Sequence, residues 1–453
     1  MTFYNRIEEL HFLQEHYETG KPELIVLYGR RRVGKTEVIK EFIKDKEAIY
    51  FLSDKEGSKN NFERFVEKVN ELTKQVGITF KGWTEAFVYL KKENRRIVIA
   101  VDEFPYLLQS DPPLTSLFQR IADEILPHSL LYIILCGSSV SVMEDKVLAY
   151  RSPLYGRRTG QWQLDPLWFT EASLFFPRYA VAEKIEAYAI AGGIPLYLAQ
   201  IHDDLSIGEN LHKHFFSKGT LLYQEPLFVL NQEFSDARIY FSLLQAISQG
   251  KNTIKEISDT TSMDPRNVNK YLNLLLRLHY IAKTYPVFYE KNKKRARYHL
   301  KDNFFNFWFT FISPHLSELE MGNLPLVEKK VKPLFNSFVG KSFEQVTEEI
   351  LLTLNKKEKL PFSLDVLGNF WDTTKEKETV EIDRIGMNKK EKKLLVVECK
   401  WKEMVSPEKL LQETKEKVAK IHLFQGYAVF YAFFAKSFSG SMPSSTALLF
   451  DLK

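Results

Sequence analysis

The chain has 453 residues, 44% of them hydrophobic and 27% charged, which are the proportions of an ordinary globular protein. This length is too great for one hydrophobic core, so about two to four domains are expected. The net charge of +5 is compatible with nucleic-acid contact but too small to indicate it. The first residues have no signal-peptide pattern, and the longest apolar runs are shorter than a membrane span. We therefore expect a cytoplasmic protein with no membrane partner. The two cysteines, Cys136 and Cys399, lie in apolar strand-like runs, which predicts buried reduced thiols and excludes a disulfide framework or a zinc set.

A glycine-rich loop is the strongest motif of the chain. A short apolar strand at residues 24–28 leads into it, and a helical segment follows it. The loop matches the phosphate-binding pattern G-x-x-x-x-G-K-[ST], whose glycines let backbone N–H groups close around phosphate oxygens. Lys35 would reach the terminal phosphates, and Thr36 would bind Mg²⁺. The following helix adds its positive dipole end to the same anion site. The residues predicted to bind nucleotide here are Gly29, Arg30, Arg31, Arg32, Val33, Gly34, Lys35, Thr36 and Glu37.

An acidic pair, Asp102 and Glu103, ends a β-branched run of the kind that forms a strand buried on both faces of a parallel sheet. Open α/β sheets bind ligands at this end of their strands. Asp102 would hold the magnesium through water, and Glu103 would orient or deprotonate the attacking water.

Two further polar sites each have two interpretations. Ser138 or Ser139, after the next apolar strand, would sense the γ-phosphate, or they only form a strand-to-loop turn that needs small residues. Asn5 and Arg6 would lie near the base or ribose, or they are a helix cap and a surface arginine.

Together these stretches resemble the archaeal-type ATPase family, which is related to the signal-transducing STAND ATPases. The basic segment Ser152-Pro-Leu-Tyr-Gly-Arg-Arg158 and the Ala191-Gly-Gly-Ile-Pro195 stretch are similar to two later motifs of that family. The resemblance covers roughly residues 1–230. It implies ATP and Mg²⁺ as cofactors, a helical lid, and Arg157 or Arg158 as an arginine finger. The arginine finger would act within its own chain or from a neighbouring subunit, and the second case would require a homo-oligomer. The alternative to an arginine finger is a pair of arginines that face solvent.

Residues 237–300 predict three helices followed by a hairpin, which is a winged helix-turn-helix pattern. Polar and basic residues would line the exposed face of its third helix, at Arg266, Asn267, Lys270, Asn273 and Arg277. A basic cluster at the hairpin could bind phosphates, and it consists of Lys291, Lys293, Lys294, Arg295 and Arg297. DNA contact is one interpretation of this module; a packing or regulatory role is the other. The aromatic stretch at residues 302–312 predicts a core helix.

The C-terminal residues resemble a PD-(D/E)XK nuclease core. A helix is predicted to begin at Gly340, and strands follow it with Asp383 on one and Glu398 and Lys400 on the next. The strand period of two places Glu398 and Lys400 on one face. Two carboxylates can bind Mg²⁺, and the ammonium group can help to activate water. By resemblance, Glu344 on the leading helix is a further acidic contributor.

Two departures from that pattern are visible. No proline precedes Asp383, and Arg384 follows it, where it would either pair with Asp383 or face a substrate phosphate. The alternative to an active nuclease is a nuclease-like fold that docks nucleic acid or protein without cutting.

The sequence thus predicts an α/β protein in four parts. A P-loop parallel sheet occupies residues 1–165, a helical lid 166–235, a winged helix 236–300, and a junction helix with an α/β restriction-endonuclease-like domain 301–453. The predicted function is a Mg²⁺-dependent ATPase that regulates the C-terminal domain, with DNA or RNA as its partner. The alternative is a non-catalytic ATP-dependent switch that binds DNA or a protein.

Overall fold

The computed structural model describes residues 3–289, 292, 295–373, 378–443 and 445–452. The chain divides into two compact units. The first contains Met1–Leu167 and Ile194–Leu196, and the second contains Trp168–Gly193 and Tyr197–Lys453. Within the described part of the chain, no helix combines the length and the apolar composition that a membrane span requires.

The first unit is a parallel sheet with helices between its strands. Its strands are β1 (Glu23–Tyr28), β2 (Ala48–Leu52), β3 (Val98–Asp102), β4 (Tyr132–Gly137) and β5 (Gly160–Gln163). Its helices are α1 (Ile7–Glu18), α2 (Lys35–Ile43), α3 (Ser58–Thr73), α4 (Trp83–Lys92), α5 (Phe104–Ser110), α6 (Leu114–Arg120) and α7 (Val140–Val142). π-helical turns continue α6 and α7, at Ile121–Ile125 and Met143–Leu148.

The strand order of this sheet is β2-β3-β4-β1-β5, and every neighbouring pair is parallel. Strands β1, β3 and β4 are buried at every position. Near-continuous apolar sequences form such strands because helices cover both faces of a parallel sheet. The α/β class and the buried strand before the acidic pair are confirmed. Because β4 lies between β1 and β3, the residues that follow these three strands meet at one edge of the sheet.

The rest of the chain is mostly helical up to residue 356. Its helices are α8 (Phe169–Ala172), α9 (Val181–Ala191), α10 (Pro195–Leu198), α11 (Ile207–Asn210), α12 (Glu225–Glu233), α13 (Ala237–Ser248), α14 (Ile254–Thr261), α15 (Pro265–Arg277), α16 (Asn303–Phe307), α17 (Leu316–Glu320), α18 (Leu324–Lys356) and α19 (Pro407–Ala419). A π-helical turn, Trp308–Ile312, continues α16. The aromatic side chains of this segment, such as Phe304, Phe307 and Trp308, are fully buried, which confirms the predicted core helix.

Helices α13 to α15 are followed by a two-stranded antiparallel sheet, β6 (Ile281–Thr284) and β7 (Arg297–Leu300). Val287, which follows β6, packs on the C-terminal part of the second unit. The N–H of Val287 donates to the carbonyl of Asn369 at 2.9 Å, and the Val287 side chain belongs to the C-terminal apolar core.

The described arginines of the predicted phosphate-binding cluster are already paired with carboxylates. Arg295 bonds to Asp372, and Arg297 Nη1 donates to Glu381 Oε1 at 2.7 Å. These pairs form because two acidic side chains of the C-terminal sheet face the hairpin. Phosphate binding by this cluster stays a prediction, and it would require both arginines to exchange these carboxylates for phosphates. Lys291, Lys293 and Lys294 lie outside the described residues.

The C-terminal part contains a five-stranded mixed sheet. Its strands are β8 (Val366–Thr373), β9 (Thr379–Asn388), β10 (Lys393–Lys400), β11 (Ala428–Ala435) and β12 (Leu448–Phe450). Strands β8, β9 and β10 are antiparallel neighbours, and β10, β11 and β12 are parallel neighbours. In the chain, helix α18 precedes β8, and helix α19 lies between β10 and β11.

The predicted helix start at Gly340 is wrong, because α18 begins at Leu324 and passes through both Pro333 and Gly340. Gly340 lies in the helix beside Trp401, and a Cβ atom at this position would make an ordinary contact at 3.5 Å with the Cβ of Trp401.

Candidate functional site

The glycine loop follows β1 and ends where α2 begins, with Gly34 in a left-handed conformation (φ +95°) as the N-cap. Gly29 has no room for a side chain, because a Cβ atom there would lie 2.4 Å from the carbonyl oxygen of Leu164. The N–H of Leu164 also donates to the carbonyl of Tyr28 at 2.7 Å, which holds the two segments together. The sequence pattern of the loop therefore has a steric cause in this fold.

Lys35 is the buried cation of the loop. Its ammonium group donates to the carbonyl oxygens of Gly29 and Arg30, both at 2.9 Å. Burial lowers the pKa of Lys35 from its ordinary value, and the carboxylates of Asp102 and Glu103 oppose that shift. An ammonium group held by loop carbonyls lies where the loop would bind an anion, as the motif predicts.

The Asp102 carboxylate connects three elements of the first unit. Its Oδ2 accepts from Thr36 Oγ1 at 2.7 Å and from the Tyr50 hydroxyl at 2.8 Å, and its Oδ1 accepts from the N–H of Glu103 at 2.9 Å. Burial, followed by the Asp102 charge, raises the pKa of Tyr50. The two residues predicted to hold Mg²⁺, Thr36 and Asp102, are thus brought into direct contact.

Glu103 and Ser138 form a second pair, at the ends of the adjacent strands β3 and β4. The Glu103 Oε2 accepts from Ser138 Oγ at 2.7 Å and from its N–H at 3.3 Å. Glu103 has a positive φ of 53°, an uncommon conformation for a residue other than glycine, and such outliers cluster at functional sites. The hydroxyl of Ser139 contacts that of Ser141 instead, so Ser138 is the serine joined to the acidic pair.

Arg6 braces the glycine loop. Its side chain is buried and donates to the carbonyl of Val33 at 2.8 Å and to Glu9 Oε1 at 2.8 Å. It is therefore not a surface arginine, which corrects one of the two interpretations. Asn5 precedes it, and both residues have left-handed backbone conformations.

The remaining loop side chains have different surroundings. Arg31 Nη2 donates to the Tyr106 hydroxyl at 3.1 Å, Arg32 has a positive φ of 70°, and Val33 is fully buried. Glu37 lies on an outer face of α2, with Lys40 at 3.5 Å.

Arg157 and Arg158 are not joined to the glycine loop by hydrogen bonds between described residues. Arg157 Nε lies 2.8 and 3.0 Å from the carboxylate oxygens of Asp123, and Arg158 lies over the ring of Tyr155. A role for either arginine at phosphate remains a prediction.

A second group of charged side chains lies in the C-terminal sheet. Asp383 on β9 and Glu398 on β10 are close because those strands are paired, with Val397 opposite Arg384. The Asp383 Oδ2 accepts from the N–H of Cys399 at 2.8 Å. Burial and the Glu398 charge raise the pKa of Asp383. A carboxyl group whose pKa is raised by burial and by a neighbouring carboxylate is a common feature of functional sites.

Glu398 is buried, and each of its oxygens accepts from one ammonium group. Lys400 Nζ lies 3.1 Å from Oε2, and Lys417 Nζ lies 2.7 Å from Oε1. The sequence prediction included Lys400 and missed Lys417. A signal for it exists, because Leu410 and Thr414 form the buried face of α19, and a helical period of 3.6 places residue 417 on the same face.

Glu344 on α18 faces Arg384. Its Oε2 lies 3.3 Å from Arg384 Nη1, and Glu348 Oε2 lies 2.9 Å from Arg384 Nε. Arg384 therefore pairs with α18 and not with the carboxylate of Asp383, which corrects one of its two predicted roles. Among the described residues, no group of three or more His, Cys, Asp and Glu side chains is arranged to hold a metal ion. Glu344 is thus not brought into one ligand set with Asp383 and Glu398.

The parallel sheet, the glycine loop after β1 and the acidic pair after β3 define a P-loop ATPase that binds ATP. A family model described as an ATPase domain predominantly from Archaea matches residues 3–201. An uncharacterized protein of Methanocaldococcus jannaschii is 35% identical over 452 residues, which are 100% of this chain and 99% of that relative. The chain belongs to this family of archaeal ATPases.

Other similarities are more local. An uncharacterized ATP-binding protein of the same organism is 57% identical over 44 residues, which are 10% of this chain and 75% of that relative. A solved Walker-type ATPase of Pyrococcus abyssi is 22% identical, with a TM-score of 0.51 over 68% of this chain and 96% of that protein. This likeness concerns the fold. A second family model, described as archaeal and bacterial proteins of unknown function, matches residues 308–418.

Proposed function

We propose that this ATPase requires Mg²⁺, and that its nucleotide state regulates a nuclease-like or nucleic-acid-binding site in the C-terminal sheet. The observation that carries the first half is the contact of Thr36 Oγ1 with Asp102 Oδ2 at 2.7 Å, beside the Glu103–Ser138 pair. A hydroxyl and a carboxylate are oxygen donors of the kind that Mg²⁺ prefers, so these residues fit the ion.

Each group of the nucleotide site would have one role. The Lys35 ammonium group would leave the loop carbonyls and bind oxygens of the terminal phosphates. Thr36 and Asp102 would hold the magnesium. The ion, when bound with ATP, supplies charge neutralisation at the phosphates. Glu103 would orient the attacking water, with Ser138 fixing the direction of its carboxylate. The catalytic effect of such a site consists mostly of positioning and electrostatic stabilisation.

The magnesium requirement has a direct test. Phosphate release from ATP is measured for the wild type and for Asp102→Asn while free Mg²⁺ is varied. The amide of the variant keeps a similar shape and can still meet Thr36, but it is a weaker metal ligand. We expect the variant to need more Mg²⁺ for half-maximal rate. An unchanged magnesium dependence would show that Asp102 does not hold the ion.

For the C-terminal site, we propose a metal-dependent nuclease that acts on DNA or RNA. The support is the pairing of Asp383 and Glu398 on adjacent strands, with the ammonium group of Lys400 at 3.1 Å from Glu398. The two carboxylates fit a divalent cation, because their mutual repulsion would be relieved by it. Cleavage of single- and double-stranded DNA and RNA is compared for the wild type, Asp383→Ala and Lys400→Ala in Mg²⁺ and Mn²⁺. No cleavage of any substrate would reject this activity.

Regulation is supported by contacts within the second unit. The Tyr188 hydroxyl on α9 donates to Glu349 Oε1 on α18 at 2.9 Å, and the N–H of Phe169 donates to Glu349 Oε2 at 2.6 Å. Helix α18 also carries Glu344, which pairs with Arg384. Three residues after α9, the chain enters the Ile194–Leu196 segment, which belongs to the ATPase unit. A displacement of α9 would thus act on the helix that faces the C-terminal site.

The second candidate function is a switch that binds DNA or a protein partner and cuts nothing. The observation that favours it is the exposed face of α15, which carries Arg266, Asn267 and Lys270 while Val268 and Leu272 are buried. DNA binding is measured as a function of salt for the wild type and for Arg266→Ala with Lys270→Ala. A lower affinity with a smaller salt slope is expected if α15 meets phosphates. Equal DNA affinity of the wild type and the double variant would exclude the exposed face of α15 as a DNA-binding surface.

A further inference from the structure

The buried Glu398 carboxylate is bonded to two lysines that are partly exposed. The Glu398 side chain is 1% exposed, whereas those of Lys400 and Lys417 are 35% and 39% exposed. The two lysines therefore connect a buried charge with side chains that solvent can reach. Burying a carboxylate is costly unless it is paired, and the lysines supply that pairing in the protein alone.

The two Glu398 oxygens cannot bind two ammonium groups and a divalent cation equally well at the same time. A cation bound to Asp383 and Glu398 would repel both ammonium groups at hydrogen-bonding distance. Lys417 reaches Glu398 from a separate helix, so its ammonium group can leave the carboxylate without any change in the strand that carries Glu398. It lies in the last turn of α19, and its other hydrogen-bond partner is the carbonyl of Glu381 at 3.4 Å. Lys400 stays on the same strand as Glu398, two residues further on.

We propose that Lys417 is an exchangeable counter-ion, which neutralises Glu398 when no divalent cation is bound and is released by the cation to bind a phosphate of a nucleic-acid strand. This inference rests on the proposed metal-binding C-terminal site. It adds a phosphate-binding residue to that site and couples the binding of substrate to the binding of metal. Because the lysine is half-exposed, its ammonium group can move to solvent without unfolding α19.

The first experiment measures Mn²⁺ binding to the full chain without nucleotide, by the loss of the free-ion electron paramagnetic resonance signal. The variants are Lys417→Met, which keeps an apolar stem of similar length, and Lys415→Met, an exposed position on the same helix. Glu398→Gln identifies the binding that belongs to this site. We expect Lys417→Met to bind Mn²⁺ about five-fold tighter than the wild type, because a competing ammonium group is gone. Lys415→Met should match the wild type.

The second experiment measures binding of a single-stranded DNA of about 12 nucleotides with and without Ca²⁺, which supports binding without the need for turnover. Lys417→Met should lower the affinity in Ca²⁺ and leave it unchanged without a divalent cation. Lys417→Arg keeps the charge and can pair with Glu398 through two bonds, so it should bind Mn²⁺ no tighter than the wild type.

The outcomes separate the two ideas. If Mn²⁺ binding depends on Glu398 but Lys417→Met leaves it unchanged or weakens it, the metal site stands and the exchange is wrong. If Glu398→Gln leaves Mn²⁺ binding unaltered, the proposed site and the exchange are both wrong. If Lys417→Met does not fold, tighter Mn²⁺ binding by Lys417→Arg would overturn the exchange, and equal or weaker binding would support it.

Discussion

The Glu349 carboxyl group should make the stability of the second unit depend on pH. Burial raises the pKa of Glu349 to about 7, although the N–H of Phe169 and the hydroxyl of Tyr188 donate to it. In the unfolded chain its pKa is about 4.3. Between these values the native state binds more protons, so the free energy of unfolding falls as the pH rises through that window.

The magnitude follows from the size of this shift. One pKa unit corresponds to about 1.4 kcal/mol, so ionised Glu349 lowers the free energy of unfolding by about 4 kcal/mol above pH ~7. Glu349→Gln removes this pH dependence. Its amide has one acceptor oxygen where the carboxylate has two, which costs about 1 kcal/mol at every pH. We therefore expect the variant to be about as stable as the wild type near pH ~5 and more stable by about 3 kcal/mol near pH ~8.

The assay is urea-induced unfolding at both pH values, with hydrogen exchange of α18 as the probe of the unit that contains Glu349. Glu403→Gln is the control, because Glu403 is an exposed glutamate of the same unit. The difference between wild type and Glu349→Gln should change by about 3 kcal/mol between the two pH values, while that of the control should not. The difference in the free energy of unfolding between wild type and Glu349→Gln could also be the same at both pH values. That result would refute the claim that folded Glu349 is neutral at low pH and charged at high pH.

Three further predictions concern the ATPase unit. Gly29→Ala should abolish ATP binding in calorimetry, because its Cβ atom has no space, whereas Gly82→Ala, where nothing lies within 4 Å, should bind normally. Glu103→Gln should retain ATP binding and slow phosphate release by about 10²–10³-fold, and Ser138→Ala should slow it less. A Glu103→Gln variant with the wild-type ATPase rate would contradict the water-orienting role. Arg157→Ala should lower the ATPase rate and leave ATP affinity unchanged, and a wild-type rate per chain that rises with protein concentration would assign the arginine to a neighbouring subunit.

The nucleotide site was largely predictable because its determinants are local. Gly29 and Gly34 are required by a close approach and a left-handed cap, and the strand before Asp102 is apolar because both its faces are buried. The contributions of Tyr50 and Arg6 were not predictable in this way. Tyr50 lies on β2 and bonds to Asp102 on the neighbouring strand β3. Arg6 bonds to the carbonyl of Val33, which lies 27 positions further along the chain. The sequence draws attention to Arg6, but it carries no signal for the partner that a single polar residue meets at such a distance.

The C-terminal site was predictable only in part. Asp383, Glu398 and Lys400 follow from strand alternation, and Lys417 is joined to them by tertiary packing of α19. Arg384 was difficult to assign because its partners lie on α18, about 40 residues earlier in the chain. The hairpin arginines look available for phosphates in the sequence, and only the fold places carboxylates against them.

The central claim is that ATP bound in the first unit changes the C-terminal site. Hydrogen exchange of α18, β9 and β10 with and without MgATP tests it without knowledge of a substrate. The wild type should show altered exchange in these elements on adding MgATP, and Lys35→Ala should not, because it lacks the phosphate-binding ammonium group. Changes confined to the glycine loop and the ends of β3 and β4, with none in α18 or β10, would contradict the proposed regulation.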